Sequence, residues 1–445
     1  MEKRDLIPSY ENVCSTFCDD SIGRNEELAC FINLLNNITG PYSIAIDGQW
    51  GSGKTFFVKQ AKMLMDVYNP HSQLVEWNIE DHRDKVKNVW AKLAKKHFKE
   101  EWEPNLHLAV YFDAWAYDSE SDPMASLLYQ IAAVASNVYQ LEGTRNNLEI
   151  LGNIIDLLRG RNYKDLILSL KKSKMTDGVE NSMELRDQIN QYFSSLLPEH
   201  GDRLIIFVDE LDRCVPSYAV RLLERIKHYF NHEKITFVFS LNMEQMQHTV
   251  RQHYGEGFDA HKYIERFFDL TIPMPKLKRT ALHNVLPYDV TNAVFQVADA
   301  FVQQHHMQMR EITRYYSALH MMTNNESMPG FDSQSCWFCR YFLVPVALGL
   351  QKCDITKYYQ FINGEDSTPL TDLLSNEIVM DYVIRFFNKI SEEKAAEQLE
   401  AVYKAIFVDA KARKSNTIQG INYNENTYNY FLRTIGLLST TTTTE

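Results

Sequence analysis

Apolar residues along this chain follow two patterns, and the balance between them changes near residue 276. Before that point, short continuous apolar runs alternate with stretches in which apolar side chains recur every three or four residues. The runs centre on Tyr42–Asp47 (YSIAID), Leu108–Trp115 (LAVYFDAW), Leu204–Val208 (LIIFV) and Ile235–Leu241 (ITFVFSL), the pattern of parallel strands buried on both faces. Leu270–Ile272 is a further short strand candidate, stopped by Pro273 and Pro275, and Leu74–Ile79 is a weaker one. Helical spacing marks Asp20–Ile38 (Leu28, Phe31, Ile32, Leu34, Leu35), Lys54 to Val67, Met124–Val138, Leu148–Leu158 and Tyr218–Phe230. Strands alternating with helices over about 250 residues predict an α/β fold, a parallel sheet covered on both faces in three layers.

After Lys276 only the helical pattern remains, with helices expected at Thr291–Gln304, Arg310–Met322 and, as one long element, Met380–Phe407. The expected organisation is a core at 1–275, carrying helical insertions at about 71–107 and 140–200, and a helical lid with an all-α C-terminal domain at 276–445. No internal repeat stands out, and Ser439–Glu445 (STTTTTE) is a low-complexity end.

The longest apolar stretch, Trp337–Leu350, is interrupted by Arg340 and Pro345 and falls short of the roughly 20 residues a bilayer requires. No membrane span is expected. The N-terminus (MEKRDLIPSYENVC) has charges without a following apolar segment, which argues against a signal peptide and for a cytoplasmic protein. With 445 residues the chain has room for two or three domains at about 150 residues each. Lys plus Arg total 46 against 58 Asp plus Glu, a net charge of −12, so any nucleic-acid contact must be local; the most basic stretch is Arg159–Lys174. Seven cysteines, an odd number, read as reduced thiols. Cys336 and Cys339 form a CxxC without the second pair that a zinc site needs.

Against this background one segment carries chemistry. Gly48–Thr55 reads GQWGSGKT, fits G-x-x-x-x-G-K-[ST], and lies directly between a strand and a helix. Gly48, Gly51 and Gly53 let the backbone curl so that N–H groups around Ser52 face phosphate oxygens, and the helix start, Lys54–Phe56, adds its positive end. Lys54 is expected to reach the terminal phosphates of ATP, and the Thr55 hydroxyl to join the shell of a Mg²⁺ ion. Trp50 either shields the phosphates or covers the loop, the second being favoured.

Such a loop needs a carboxylate for the metal and a base for water. LIIFV ends in Asp209-Glu210: Asp209 is the expected metal ligand and Glu210 the expected base, with Asp212 a rival that can equally cap the helix opened by Pro216. Asn242, just past the fourth strand, either holds the attacking water or caps the next helix. Arg266, at a helix-to-strand corner, either reaches a neighbouring subunit's nucleotide or pairs with Glu265 or Asp269. Arg310 and Arg314, four apart on a helix, either sense the γ-phosphate or lie on a solvated face.

Together SIGRNEE, IDGQWGSGKT, VYFDAWAYDSE, IIFVDELDRCVPS with LLERIKHYF, and KYIERFFDLTIPMP resemble the KAP family of P-loop NTPases over residues 20–330. The more specific parts are Phe112–Trp115 and Asp209–Cys214. The resemblance implies an ASCE-type core related to AAA+ and STAND ATPases, with the Asp209 strand beside the Asn242 strand and Gly23-Arg24 near base and ribose. Members usually read DD where this chain has Asp209-Glu210. Many members carry membrane helices between the two motifs, and this chain has no such insert. Bacterial relatives occur in anti-phage or plasmid-exclusion settings.

The expected function is an ATPase switch that oligomerises through Arg266. The alternatives are a nucleotide-gated scaffold gripping a protein partner from Lys276 onward, and a nucleic-acid sensor or motor using Arg159–Lys174 with Lys276, Lys278 and Arg279. A GTPase is disfavoured because the only Asn-Lys pair, Asn388-Lys389, continues Ile-Ser rather than x-Asp. A small-molecule kinase is disfavoured because the adjacent acids suit water as acceptor.

Overall fold

The computed structural model describes residues 7–72, 79–98, 102–120, 122–137, 186–194, 197, 201–275, 292–323 and 333–436. The chain divides into two compact units, Met1–Val285 and Leu286–Glu445. In the first, α1 (Tyr10–Cys18) and α2 (Asn25–Asn36) precede β1 (Tyr42–Asp47), α3 (Lys54–Tyr68), α4 (Ile79–Phe98), β2 (His107–Asp113) and α5 (Pro123–Asn137). Then follow β3 (Arg203–Asp209), α6 (Pro216–Tyr229), β4 (Ile235–Leu241), α7 (Met243–Tyr254), α8 (Ala260–Glu265) and β5 (Leu270–Pro273).

All four expected strand runs are strands, and with the further candidate at Leu270–Ile272, which is β5, they form one five-stranded parallel sheet in the order β2-β3-β4-β1-β5. Every residue of β3 and of β4 is buried. Leu204, Ile206 and Val208 of β3 join Phe237 and Phe239 of β4 in a core shared with Leu127 and Ile131 of α5 and Leu222 and Ile226 of α6. The alternate residues face the other way, where α3 packs across β2, β3 and β4 with Val58, Ala61, Leu64 and Met65 buried. Period-two alternation thus feeds two apolar faces, giving the expected three layers. Because every strand is parallel, the segments after β1, β2, β3 and β4 all leave at the same edge, where α/β folds bind ligands.

Partly or wholly outside the described residues fall the strand at Leu74–Ile79, of which only Ile79 is described and starts α4, most of the insertion at about 140–200 with the helix at Leu148–Leu158 and the basic segment Arg159–Lys174, and the end Ser439–Glu445. Lys276, Lys278 and Arg279 lie outside them too.

Among its described residues the second unit is helical, with one exception. β6 (Asn416–Ile418) and β7 (Ile421–Tyr423) form an antiparallel hairpin closed by Gln419 and Gly420, both at positive φ (52° and 80°), the conformation of a type I′ turn. The long helix expected at Met380–Phe407 is instead two, Glu377–Phe386 and Glu392–Lys404. Asn388 and Lys389 between them have φ of 59° and 67°, and two successive left-handed residues end a helix. The apolar stretch at Trp337–Leu350 builds this unit's core: Phe338, Leu343, Val346 and Leu350 are fully buried. Gly349 is required there, since a Cβ would lie 2.3 Å from the Phe301 ring. Among the described residues no helix is long and apolar enough to cross a membrane. Cys336 and Cys339 are buried in this same core.

Candidate nucleotide site

The P-loop hangs between β1 and α3. Gly51 and Gly53 hold φ of 83° and 90°, which L side chains adopt only at a cost. Gly48 is tight for another reason: a Cβ would meet Met274 Cβ at 2.8 Å and Ser52 Oγ at 2.9 Å. Met274 is fixed by its N–H donating to the Asp47 carbonyl at 2.6 Å, and the Gly48 N–H donates to Leu241 at 3.2 Å. The loop is therefore clamped by the ends of β4 and β5. Gly53 caps α3, so the first-turn N–H groups of Lys54, Thr55 and Phe56 have no intrahelical acceptor and remain for an anion. The Phe56 side chain is buried, leaving its backbone N–H as the group it offers.

Lys54 is buried, and its Nζ donates to the carbonyls of Gly48 at 2.5 Å and Gln49 at 3.2 Å. Burial lowers its pKa, opposed by the fields of Asp212, Asp209 and Glu210. Geometry joins the two motifs: Trp50, in the loop, donates its indole N–H to Asp212, just after β3, at 2.7 Å. Ser52 Oγ is buried without a partner. Arg24, expected near base and ribose, donates from Nη1 to the Ser52 carbonyl at 2.8 Å, so it braces the loop from behind. Burial pushes its pKa down to about 10.

On the acid side, Asp209 is 1% exposed. Its Oδ1 accepts the Glu210 N–H at 3.0 Å and its Oδ2 the Tyr111 hydroxyl at 2.9 Å, which leaves each oxygen a lone pair. Glu210 sits at φ 59°, a left-handed conformation that turns the chain sharply out of β3. Its Oε2 pairs with Arg213 Nε at 2.5 Å, and Arg213 lies over the half-exposed Trp115 ring, 5.6 Å from its centroid. Burial, then Asp209, raises Glu210 to about 7 despite Arg213. Asp212 is buried; its Oδ2 accepts both the Trp50 indole N–H at 2.7 Å and the Asn242 N–H at 3.1 Å. Trp50 therefore does more than cover the loop.

Asn242 caps α7, its Oδ1 accepting the N–H groups of Glu244 at 3.1 Å and Gln245 at 3.2 Å. Arg266 is exposed at the end of α8 and makes no ion pair with Glu265 or Asp269; Asp269 Oδ2 instead accepts the Ser43 N–H at 2.8 Å. Arg310 and Arg314 are exposed on the helix Met309–Thr323 of the second unit.

Three neighbours escaped the sequence reading: Tyr111, Arg213 and Asp113. Asp113 ends β2 in register with Asp209; the signal was there, since LAVYFD closes on an acid as LIIFVD does. The donors around Lys54 are carboxylates and hydroxyls, a set that suits a hard cation such as Mg²⁺. Among the described residues no three His, Cys, Asp or Glu groups form a metal cage. A P-loop needs none, since Mg²⁺ is held by one or two protein oxygens together with phosphates and water.

No curated protein matches the chain. A strand, a glycine cradle, a buried lysine and an acid two strands away on the same sheet edge are the parts of a P-loop NTPase. The model of the KAP family P-loop domain matches residues 24–326, more than half of the chain, and the protein belongs to that family.

Proposed function

We propose that this protein is an ATP-binding and ATP-hydrolysing switch, working in the cytoplasm, whose active form is a homo-oligomer. The observation that carries it is the shared sheet edge: the order β2-β3-β4-β1-β5 sets the loop after β1 two strands from Asp209, and Trp50 of that loop donates to Asp212 at 2.7 Å. The N–H groups of Gly51 and Gly53–Phe56 bind the phosphates, joined by that of Ser52 once it leaves the Gln49 carbonyl to which it donates at 3.2 Å, and Lys54 leaves the carbonyls of Gly48 and Gln49 for the terminal ones. Thr55 and Asp209 would hold Mg²⁺, which when bound neutralises phosphate charge. Glu210 takes the proton of the attacking water through its carboxylate, and for that it must part from Arg213. Asn242 spends its carboxamide oxygen on the helix cap, so it can offer only its amide N–H groups to a phosphate or to water. Arg266, exposed and unpaired with its acidic neighbours, is the residue proposed to reach the next subunit's nucleotide.

The test is phosphate release measured alongside mass in solution over a range of protein concentrations. Turnover per subunit should rise with assembly, and Arg266→Ala should remove that rise. Concentration-independent turnover by a monomer would refute the trans arginine. The Glu210–Arg213 pair favours one second reading, a nucleotide-gated scaffold with slow turnover until a protein partner frees Glu210. In that case phosphate release stays near background until a partner is added. An anti-phage role follows from the family likeness, and it predicts that cells carrying Lys54→Ala lose protection in a plaque assay.

A further inference from the structure

Trp50 stands at the crest of the P-loop and is 47% exposed, so packing alone does little to fix its ring. Its indole N–H is nevertheless held at 2.7 Å by Asp212, a residue only 6% exposed. The same carboxylate oxygen takes the Asn242 N–H at 3.1 Å. One buried acceptor thus ties together three segments distant in sequence: the loop after β1, the turn Leu211–Arg213 after β3, and the start of α7 after β4. A charged acceptor shielded from water makes stronger hydrogen bonds than a neutral one.

We infer that Asp212 is a positioning residue, which through Trp50 holds the crest of the phosphate cradle against the acid-bearing turn. The inference rests on the proposed ATPase and adds a division of labour among its acids. Glu210 does the proton chemistry, while Asp212 keeps the loop in the shape that phosphate needs. The competing role for Asp212 is that of general base. The two roles make different chemical demands. A base must be a carboxylate, whereas a tether needs only an acceptor oxygen, and both N–H donors converge on a single oxygen that a carboxamide reproduces.

The substitutions follow from that difference. Asp212→Asn keeps the acceptor and cannot take a proton; Asp212→Ala removes both; Trp50→Phe keeps the ring and removes the N–H. Two readouts apply to the full chain: hydrogen exchange of the amides of residues 48–53 in protein purified without nucleotide, and the kinetics of MgATP hydrolysis. With the tether lost, Trp50→Phe and Asp212→Ala should each speed exchange in the loop and raise KM for ATP about tenfold, the scale of one hydrogen bond to a charged, partly exposed pair. They should change kcat less, and the double variant should be no worse than Asp212→Ala alone. Asp212→Asn should stay within about twofold of the parent on both readouts. Thermal midpoints near the parent's establish that each variant is folded.

An Asp212→Asn protein as inactive as Asp212→Ala, with Trp50→Phe like the parent, would make Asp212 the base and overturn the inference. So would unchanged loop exchange in Trp50→Phe. Should the parent itself fail to bind MgATP, the proposed function falls, and the exchange arm still decides whether the tether exists.

Discussion

Glu210 is a carboxylate placed where its charge is expensive, and replacing it by glutamine should make the folded protein more stable while removing its turnover. The side chain is 18% exposed, and burial with Asp209 lifts its pKa from 4.5 to about 7. The folded state therefore binds the proton more tightly than the unfolded chain. Below pH 4.5 both states are protonated and Glu210 costs nothing. As pH rises from 4.5 to 7 the unfolded chain ionises first, so stability is lost across that window and the loss is complete above 7. At about 1.4 kcal/mol per unit, the penalty at pH 8 approaches ~3 kcal/mol. Glutamine avoids the ionisation but still buries an amide and leaves Arg213 without its partner, so a net gain of about 2 kcal/mol is expected. For a unit of this size that is a rise of about 4 °C in thermal midpoint. The assay is thermal unfolding of the parent and Glu210→Gln at pH 8 and pH 5, in EDTA without nucleotide. At pH 5 the ionisation penalty falls to about a quarter of its pH 8 value, no more than the ~1 kcal/mol cost of the buried amide and the unpartnered Arg213, so the difference should vanish or turn slightly negative. A difference that does not change with pH, or a variant less stable at pH 8, would refute the electrostatic reasoning.

Arg24→Ala should leave the Ser52 carbonyl without its buried donor and weaken nucleotide binding about tenfold, at a cost of ~1–3 kcal/mol in stability; unchanged affinity by calorimetry would show that the brace is idle. Gly48→Ala puts a Cβ 2.8 Å from Met274 Cβ, so the loop must move off β5. That overpacking should lower stability by ~1–3 kcal/mol and reduce ATP affinity, both readable from a melting curve with and without nucleotide. Tyr111→Phe removes one of the two hydrogen bonds to Asp209. It should alter the Mg²⁺ concentration needed for half-maximal turnover, and an unchanged Mg²⁺ curve would mean that Tyr111 does not orient the ligand.

The sheet is legible in the sequence because strands buried on both faces must be continuously apolar, and LIIFV and ITFVFSL have no other economical use. The P-loop is legible because its spacing, glycines and lysine are dictated by phosphate geometry. What sequence does not carry is the contact between distant segments. Arg24 meets Ser52 across 28 residues, and Asp212 meets Trp50 across 162; neither pair has any periodicity to betray it. The turn at Asn388-Lys389 is hidden for the opposite reason: apolar spacing continues on both sides of it, so one helix and two produce the same pattern. The hairpin at Asn416–Tyr423 is missed because three-residue strands are too short to show alternation, although Gln419-Gly420 is suited to its turn. Asn242 shows a further limit, since a helix cap and a phosphate contact select the same residue at the same place.

The most direct measurement is a calorimetric titration of MgATP into the full chain and into Lys54→Ala. A cradle formed by residues 48–56, with its lysine in the field of Asp209, predicts binding of one nucleotide per chain by the parent and none detectable in the variant. No heat with the parent, or equal affinity in the two proteins, would contradict it.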